Sequence, residues 1–156
     1  MIYRPQFAYP TPRGYRDEQF HYAFDLSNVP QLAKTSIAAG AFLQNIPLPL
    51  QQDAAFLWNS ITVSGANSAD PVIAGRFRDP YGNYLSDDFV PFDLYCHPAG
   101  GPVIGTLDCP WEPAIECPAG AIIWLDLKNQ TTGSSNLTLV RLLLGGLKRY
   151  PIGRVA

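Results

Sequence analysis

The last third of the chain carries the clearest pattern. Ile122-Ile123-Trp124-Leu125-Asp126-Leu127 is an apolar run, followed by the small polar residues from Asn129 to Asn136. Leu137 to Leu144 is apolar again. Two such runs around a Gly/Ser/Asn turn predict long antiparallel strands, largely buried, with Trp124 in the core. The spacing predicts that they form a hairpin closing a β-sandwich. Upstream, Phe20, Tyr22, Phe24 and Leu26 alternate with polar or small residues, the period of a half-buried strand. Ser27-Asn28 reads as a turn. Ile37 to Leu50 is apolar and small until Pro47 and Pro49, which assign its end to a sheet edge, because proline cannot donate to a ladder.

Ala54 to Val63 carries Phe56, Trp58, Ile61 and Val63. A short helix fits part of that spacing, but the β-branched end favours a strand. A loop from Ser64 to Pro71 and a strand from Val72 to Phe77 follow. Asp79-Pro80-Tyr81-Gly82-Asn83 is a strong turn, with φ preset at the proline and the glycine free to take positive φ. Tyr84-Leu85 and Phe89 to Tyr95 form the return, and His97 to Gly101 turns again. Two short strands, Ile104 to Leu107 and Ala114 to Glu116, are expected either side of Asp108-Cys109-Pro110-Trp111. Turn signals at this density, without helical period or internal repeat, predict an all-β fold: an antiparallel β-sandwich or jelly roll.

Residues 1–19 read differently. Pro5, Pro10 and Pro12 alternate with Tyr3, Phe7, Tyr9 and Tyr15, so the segment should be extended. An extended arm cannot bury its aromatics locally. They pack either across its own domain or on a neighbouring subunit. The expected organisation is an arm at 1–19 and one sandwich domain at 20–156, a length that can enclose a sizeable core.

Composition changes this picture in one respect. Charged residues make up 15% of the chain, against about 25% in an average soluble domain. A surface so poor in charge points to coverage by partners, hence a homo-oligomer or larger assembly. The net charge of −2 gives no electrostatic case for nucleic acid. No run approaches the length of an apolar membrane helix, so no membrane partner is expected. Basic residues gather at the two ends: Arg4, Arg13 and Arg16 in front, and Lys148, Arg149 and Arg154 behind. They are either solvated termini or a charged docking site. Three cysteines, Cys96, Cys109 and Cys117, without an apolar leader fit free thiols and synthesis in the cytoplasm.

Candidate chemistry is thin. His21 and His97 are too few and too far apart for a cupin-type metal centre. Cys96-His97, Cys109 and Cys117 lack the close ligand pairs of zinc sites. Asp79, Asn83, Asp87 and Asp88 crowd one hairpin, but not in the order of a calcium loop; Asp79 is expected to cap its turn and Asp87-Asp88 to be solvated. No nucleophile elbow or phosphate loop occurs. Trp111, flanked by Pro110 and Glu112 and near Glu116, is the best exposed tryptophan for a carbohydrate platform. The expectation is no catalytic residue, no cofactor and no metal.

Arg76-Phe77-Arg78-Asp79-Pro80-Tyr81-Gly82-Asn83, Pro118-Ala119-Gly120, Asp126-Leu127-Lys128-Asn129 and Gly146-Leu147-Lys148-Arg149-Tyr150 together resemble small structural proteins of tailed bacteriophage virions. These are capsid-decoration (cement) proteins or proteins of the head-to-tail region. The resemblance implies a jelly-roll or sandwich body on the shell, often as dimers or trimers, made in the host cytoplasm and located in the virion. Its partners would be the major capsid protein or other virion subunits. The expected docking residues are Tyr3, Arg4, Phe7, Tyr9, Arg13, Tyr15, Trp111, Lys148, Arg149 and Tyr150. A head-to-tail or tail-fibre adaptor is the alternative within the virion, and a carbohydrate-binding module the alternative outside it.

Overall fold

The computed structural model describes residues 11–26, 38–66, 73–91, 109–130 and 139–152. Tyr3, Arg4, Phe7 and Tyr9 of the expected arm lie outside them, as do the Ser27-Asn28 and His97–Gly101 turns, the Ile104–Leu107 strand and most of the Asn129–Asn136 run. The described chain is all-β: β1 (Tyr15–Asp25), β2 (Phe42–Pro49), β3 (Ala55–Ala66), β4 (Ile73–Arg78), β5 (Val90–Pro91), β6 (Cys109–Cys117), β7 (Ile122–Asn129) and β8 (Leu139–Pro151). They form two four-stranded antiparallel sheets, in the orders β1-β8-β3-β6 and β2-β7-β4-β5.

The ladders follow one rule. β1 pairs with β8, β2 with β7, β3 with β6 and β4 with β5. Two further ladders, β3 with β8 and β4 with β7, join these pairs into the sheets. Among the described strands the pairs nest, the first meeting the last and the fourth meeting the fifth.

Both sheets feed one core. Tyr22, Phe56, Trp58, Ile61, Leu142 and Leu144 come from the first, and Ile46, Leu48, Phe77, Ile123, Leu125 and Leu127 from the second. Trp58 meets Phe77 across the layers edge-to-face, with ring centroids 5.3 Å apart. The fully buried indole Nε1–H donates to the Ser60 carbonyl at 2.8 Å, so no polar group is lost with it. Prolines inside strands respect the ladder rule. Pro47 and Pro49 lie in β2, Pro91 in β5, and Pro110 and Pro113 in β6, all of them edge strands, while Pro151 is the last residue of inner strand β8.

Several expectations change. β7 and β8 are strands as predicted, but they are not a hairpin: each is an inner strand of a different sheet. Each run is apolar enough to be covered by strands on both sides, and a polar connection does not specify which sheet the chain enters next. The Asp108–Trp111 separation is also corrected, since Cys109–Cys117 is one strand. Its register against β3 shifts between Trp58 and Ser60, a bulge that lets Pro110 and Cys109 rejoin the ladder. β3 runs on to Ala66, through the start of the expected loop. β1 starts at Tyr15, paired with Pro151, so the boundary expected at residue 19 falls inside a strand.

Candidate functional site

Alternation decides what the outer face of β2-β7-β4-β5 displays. In β7, Ile123, Leu125 and Leu127 are buried in the core, so Trp124, Asp126 and Lys128 face the other way. In β4, Phe77 points inward and Arg76 and Arg78 outward. The register sets Arg76 beside Asp126 and Arg78 beside Trp124. Trp124 thus leaves the core to which its apolar neighbours assigned it, and Trp58 takes that place.

Asp126 is the hub. It is 1% exposed, and its Oδ2 accepts from Arg76 Nη2 at 3.2 Å. Its Oδ1 accepts the backbone N–H of Asn45 at 2.9 Å and lies 3.9 Å from Arg78 Nη2. Asn45 sits where the β2–β7 register shifts between Leu43 and Ile46, with φ of 59°. Asparagine tolerates this left-handed bend better than most residues. The bend aims its N–H at Asp126 while its Oδ1 accepts from Arg78.

Aromatic rings hold the cations. Arg76 lies 4.1 Å from the Tyr84 ring centroid and 5.3 Å from that of Phe89. Arg78 lies 5.3 Å from Tyr84 and 5.8 Å from Trp124, and Lys128 Nζ lies 5.7 Å from Phe89. Phe42 extends the cluster, 6.2 Å from Phe89. Phe42 and Tyr84 stay 54% and 49% exposed. Tyr84 is brought in by an isolated bridge to Arg78, set by the turn before it. There Asp79 caps as expected: its Oδ1 accepts from the N–H of Tyr81 and Asn83 at 2.9 and 2.8 Å, and Gly82 takes φ of 90°. The face gathers three cations around one buried carboxylate. Among the described residues, Nε of Arg76 and of Arg78 is buried without a hydrogen-bond partner. Such a donor costs about 1–3 kcal/mol.

The expected basic docking end is placed otherwise. Lys148 is 1% exposed, with Nζ donating to Asp53 at 2.8 and 3.0 Å and to Gln51 Oε1. It also lies 3.9 Å over the Phe20 ring. Its charge is met inside the chain by Asp53 and Gln51. The parity of β8 puts it on the inner face, and its partner is 95 residues away. Arg149 is engaged too: Nε and Nη2 fork onto Asp17 at 2.9 and 2.8 Å. Tyr150 donates its hydroxyl to Asp53 at 3.1 Å and carries Arg16 5.4 Å over its ring. Tyr15, the first residue of β1, and Arg13, in the turn before it, are exposed. Trp111 is in edge strand β6, its side chain outside what is described.

Chemically, these groups bind and brace. Hydrogen bonding from Arg149 holds the Asp17 carboxyl below the ordinary range, and hydrogen bonding from Lys148 does the same for Asp53. Burial pushes the Cys117 thiol up to about 12, helped by Asp79 and Glu116, which leaves it a poor nucleophile. His21 is exposed, paired in register with Gly145 on the outer side of its sheet. No group of three or more His, Cys, Asp and Glu suited to a metal occurs among the described residues, and no described helix is long and apolar enough to cross a membrane.

Sequence reasoning missed Arg76, Arg78, Asp126, Lys128 and Asn45 as one site. The signal was available in part. Arg76-Phe77-Arg78 and Asp126-Leu127-Lys128 each put charge on both sides of a core residue. Comparison with protein families, with characterised proteins and with solved structures finds no match to this chain.

Proposed function

We propose that this protein is a non-enzymatic structural protein of a virion, of the capsid-decoration kind. In this reading a jelly-roll body docks on a protein shell through the outer face of β2-β7-β4-β5. Strand pairs 1·8, 2·7, 3·6 and 4·5 in two four-stranded sheets support the jelly roll, an architecture used by capsid proteins, lectins and cupins. The observation that carries the choice among these is the cationic-aromatic face itself. A sugar platform needs bare ring faces, whereas Tyr84, Phe89 and Trp124 already carry this chain's own cations. A cupin centre needs histidines between the sheets, and His21 stands outside them. A half-exposed aromatic cluster with fixed arginines has the composition of a protein-docking patch.

The sparse charge of the chain and the aromatic residues Tyr3, Phe7 and Tyr9 agree with a subunit covered by neighbours, as a dimer, a trimer or part of a lattice. The test is quantitative mass spectrometry of purified virions, with the protein located by cryo-electron microscopy. A copy number in fixed ratio to the major capsid protein is expected, with density on the shell. Copies confined to the head-to-tail region or tail would make it an adaptor instead. Absence from the particle would end the virion reading.

A further inference from the structure

We infer that the outer face of β2-β7-β4-β5 binds a carboxylate-bearing segment of a partner protein, whose acidic side chains seat against Arg76, Arg78 and Lys128. The inference names the partner chemistry of the face invoked above, but it does not need the partner to be a capsid.

Charge is the first ground. Arg76, Arg78 and Lys128 against Asp126 sum to +2, in a chain whose total is −2, so the rest of the molecule sums to −4 (−2 minus +2). Among the described residues, the positive charge of this sheet is gathered on its outward face, and the carboxylate within it, Asp126, is buried and engaged. Asp87 and Asp88 are exposed in the β4–β5 connection. Neither forms an ion pair with these cations among the described residues, and Asp88 accepts the N–H of Phe89 at 2.7 Å.

Unused donors are the second ground. A guanidinium offers a planar fork of N–H groups suited to carboxylates. Among the described residues, Arg76 uses one N–H on Asp126 and Arg78 one on Asn45, and both side chains keep about a fifth of their surface exposed (20% and 21%). The rings and the Asp126–Asn45 brace fix where the forks stand, so a partner need not order them.

Apolar surface is the third ground. Of eight exposed large hydrophobic residues among those described, five (Phe42, Tyr81, Tyr84, Leu85 and Ile122) belong to β2, β7 or the β4–β5 connection. A cationic centre among exposed aromatics matches an acidic peptide better than a phosphate backbone. Tracking such a backbone takes a longer run of cations and a basic domain.

The test titrates N-acetyl-tetraglutamate amide into the full-length protein and follows the Nε–H resonances of Arg76 and Arg78 and the indole N–H of Trp124 by NMR. Tetralysine and an oligothymidylate of matching charge run alongside. The glutamate peptide is expected to shift these resonances saturably, less so as salt is raised, and tetralysine not at all. Arg78→Gln and Lys128→Gln should each weaken binding about threefold. Lys128 is not bonded to the Asp126 hub, so its variant keeps the test open if Arg78→Gln folds poorly. No shift at saturating peptide, or equal binding to Lys128→Gln, would overturn the inference. Tighter binding of the oligothymidylate would overturn it in favour of a phosphate surface. Because no virion is used, peptide binding without particle association would fail only the capsid reading, and the converse only this one.

Discussion

Nζ of Lys148 stands 2.8 Å from Oδ2 of Asp53, the ammonium buried and the carboxylate 46% exposed. Two aromatic rings, Phe20 and Tyr22, and the Gln51 side chain complete the ammonium's surroundings. Burial opposes the charge on Lys148, yet hydrogen bonding to Asp53 and the nearby charges leave its pKa raised. The Asp53 carboxyl is held down by the same contact. Both directions keep the pair ionised. Amide formation between them, which would release water, needs a neutral amine facing a protonated acid. The contact is a brace between the β2–β3 connection and β8.

The two partners are not equivalent under mutation. Asp53→Ala leaves a buried cation without its counter-charge, with the Gln51 oxygen and two aromatic rings beside it, whereas Lys148→Met keeps an apolar stem over Phe20 and leaves Asp53 to water. Lys148→Met should stay within about 1 kcal/mol of the parent, and Asp53→Ala should be the less stable of the two. Urea melts of both variants and of the double mutant would measure this. A double mutant no more stable than Asp53→Ala would refute the assignment of the loss to a stranded charge.

Asp17 and Asp53 have lowered pKa values in the folded state. Their contribution is therefore fully present above the unfolded carboxylate value of about 3.9 and is lost as pH falls from there through the folded values. Stability should be flat in this respect at neutral pH and drop on the acid side of about pH 4. Asp17→Asn, which removes the Arg149 fork, should flatten that limb by about 1 kcal/mol. Thermal unfolding across the acid range checks it; an unchanged limb would show that the fork is not linked to folding.

Asp126→Asn preserves shape on the outer face but withdraws the charge that faces Arg76 and Arg78. A loss of about 2 kcal/mol is expected, from hydrogen bonds to a charged group. Asn45→Gly, by contrast, keeps the positive φ and the N–H donor and loses only the Arg78 acceptor. It should cost less than Asp126→Asn. Equal losses would mean that the Asn45 side chain, not its backbone, does the bracing.

Gly145 and Gly146 face the β3 bulge in the middle of β8. A Cβ at Gly146 would land on the Leu57 carbonyl oxygen, and one at Gly145 on the Ser60 hydroxyl. Gly146→Ala should destabilise by about 3 kcal/mol, with no side-chain substitution able to relieve it. Gly145→Ala should be partly rescued by Ser60→Ala, which removes the colliding oxygen. Denaturant midpoints of the three variants decide the matter, and no rescue of Gly145→Ala by Ser60→Ala would place its strain elsewhere in the bulge.

Strand identity was legible wherever apolar residues alternate or run together: Phe20 to Leu26, Phe56 to Val63 and Ile122 to Leu127 all lie in or along strands. Sheet membership was not, because β7 and β8 carry the same kind of apolar run and differ only in which strands flank them. The site was half legible. Parity alone sends Trp124 with Asp126 and Lys128, away from Leu125, but the apolar bulk of Trp124 outweighed its position. Lys148 was misplaced for a different reason. Its neighbours, basic Arg149 and aromatic Tyr150, suggested a surface, while the Asp53 that justifies its burial is remote in sequence and adjacent only after folding.

The nested order of strand pairs sets a timetable for the chain as it is made. β1 is made before β8, and its described ladder partner, Leu139–Pro151, follows on the order of ten seconds later at ordinary translation rates. Throughout that interval an eleven-residue strand with Phe20, Tyr22 and Phe24 along one side waits unpaired. β4 and β5, the innermost pair, are free to close long before. The β4–β5 ladder therefore closes the shortest loop of the four nested pairs and the β1–β8 ladder the longest, so the entropic cost of closure falls most heavily on β1.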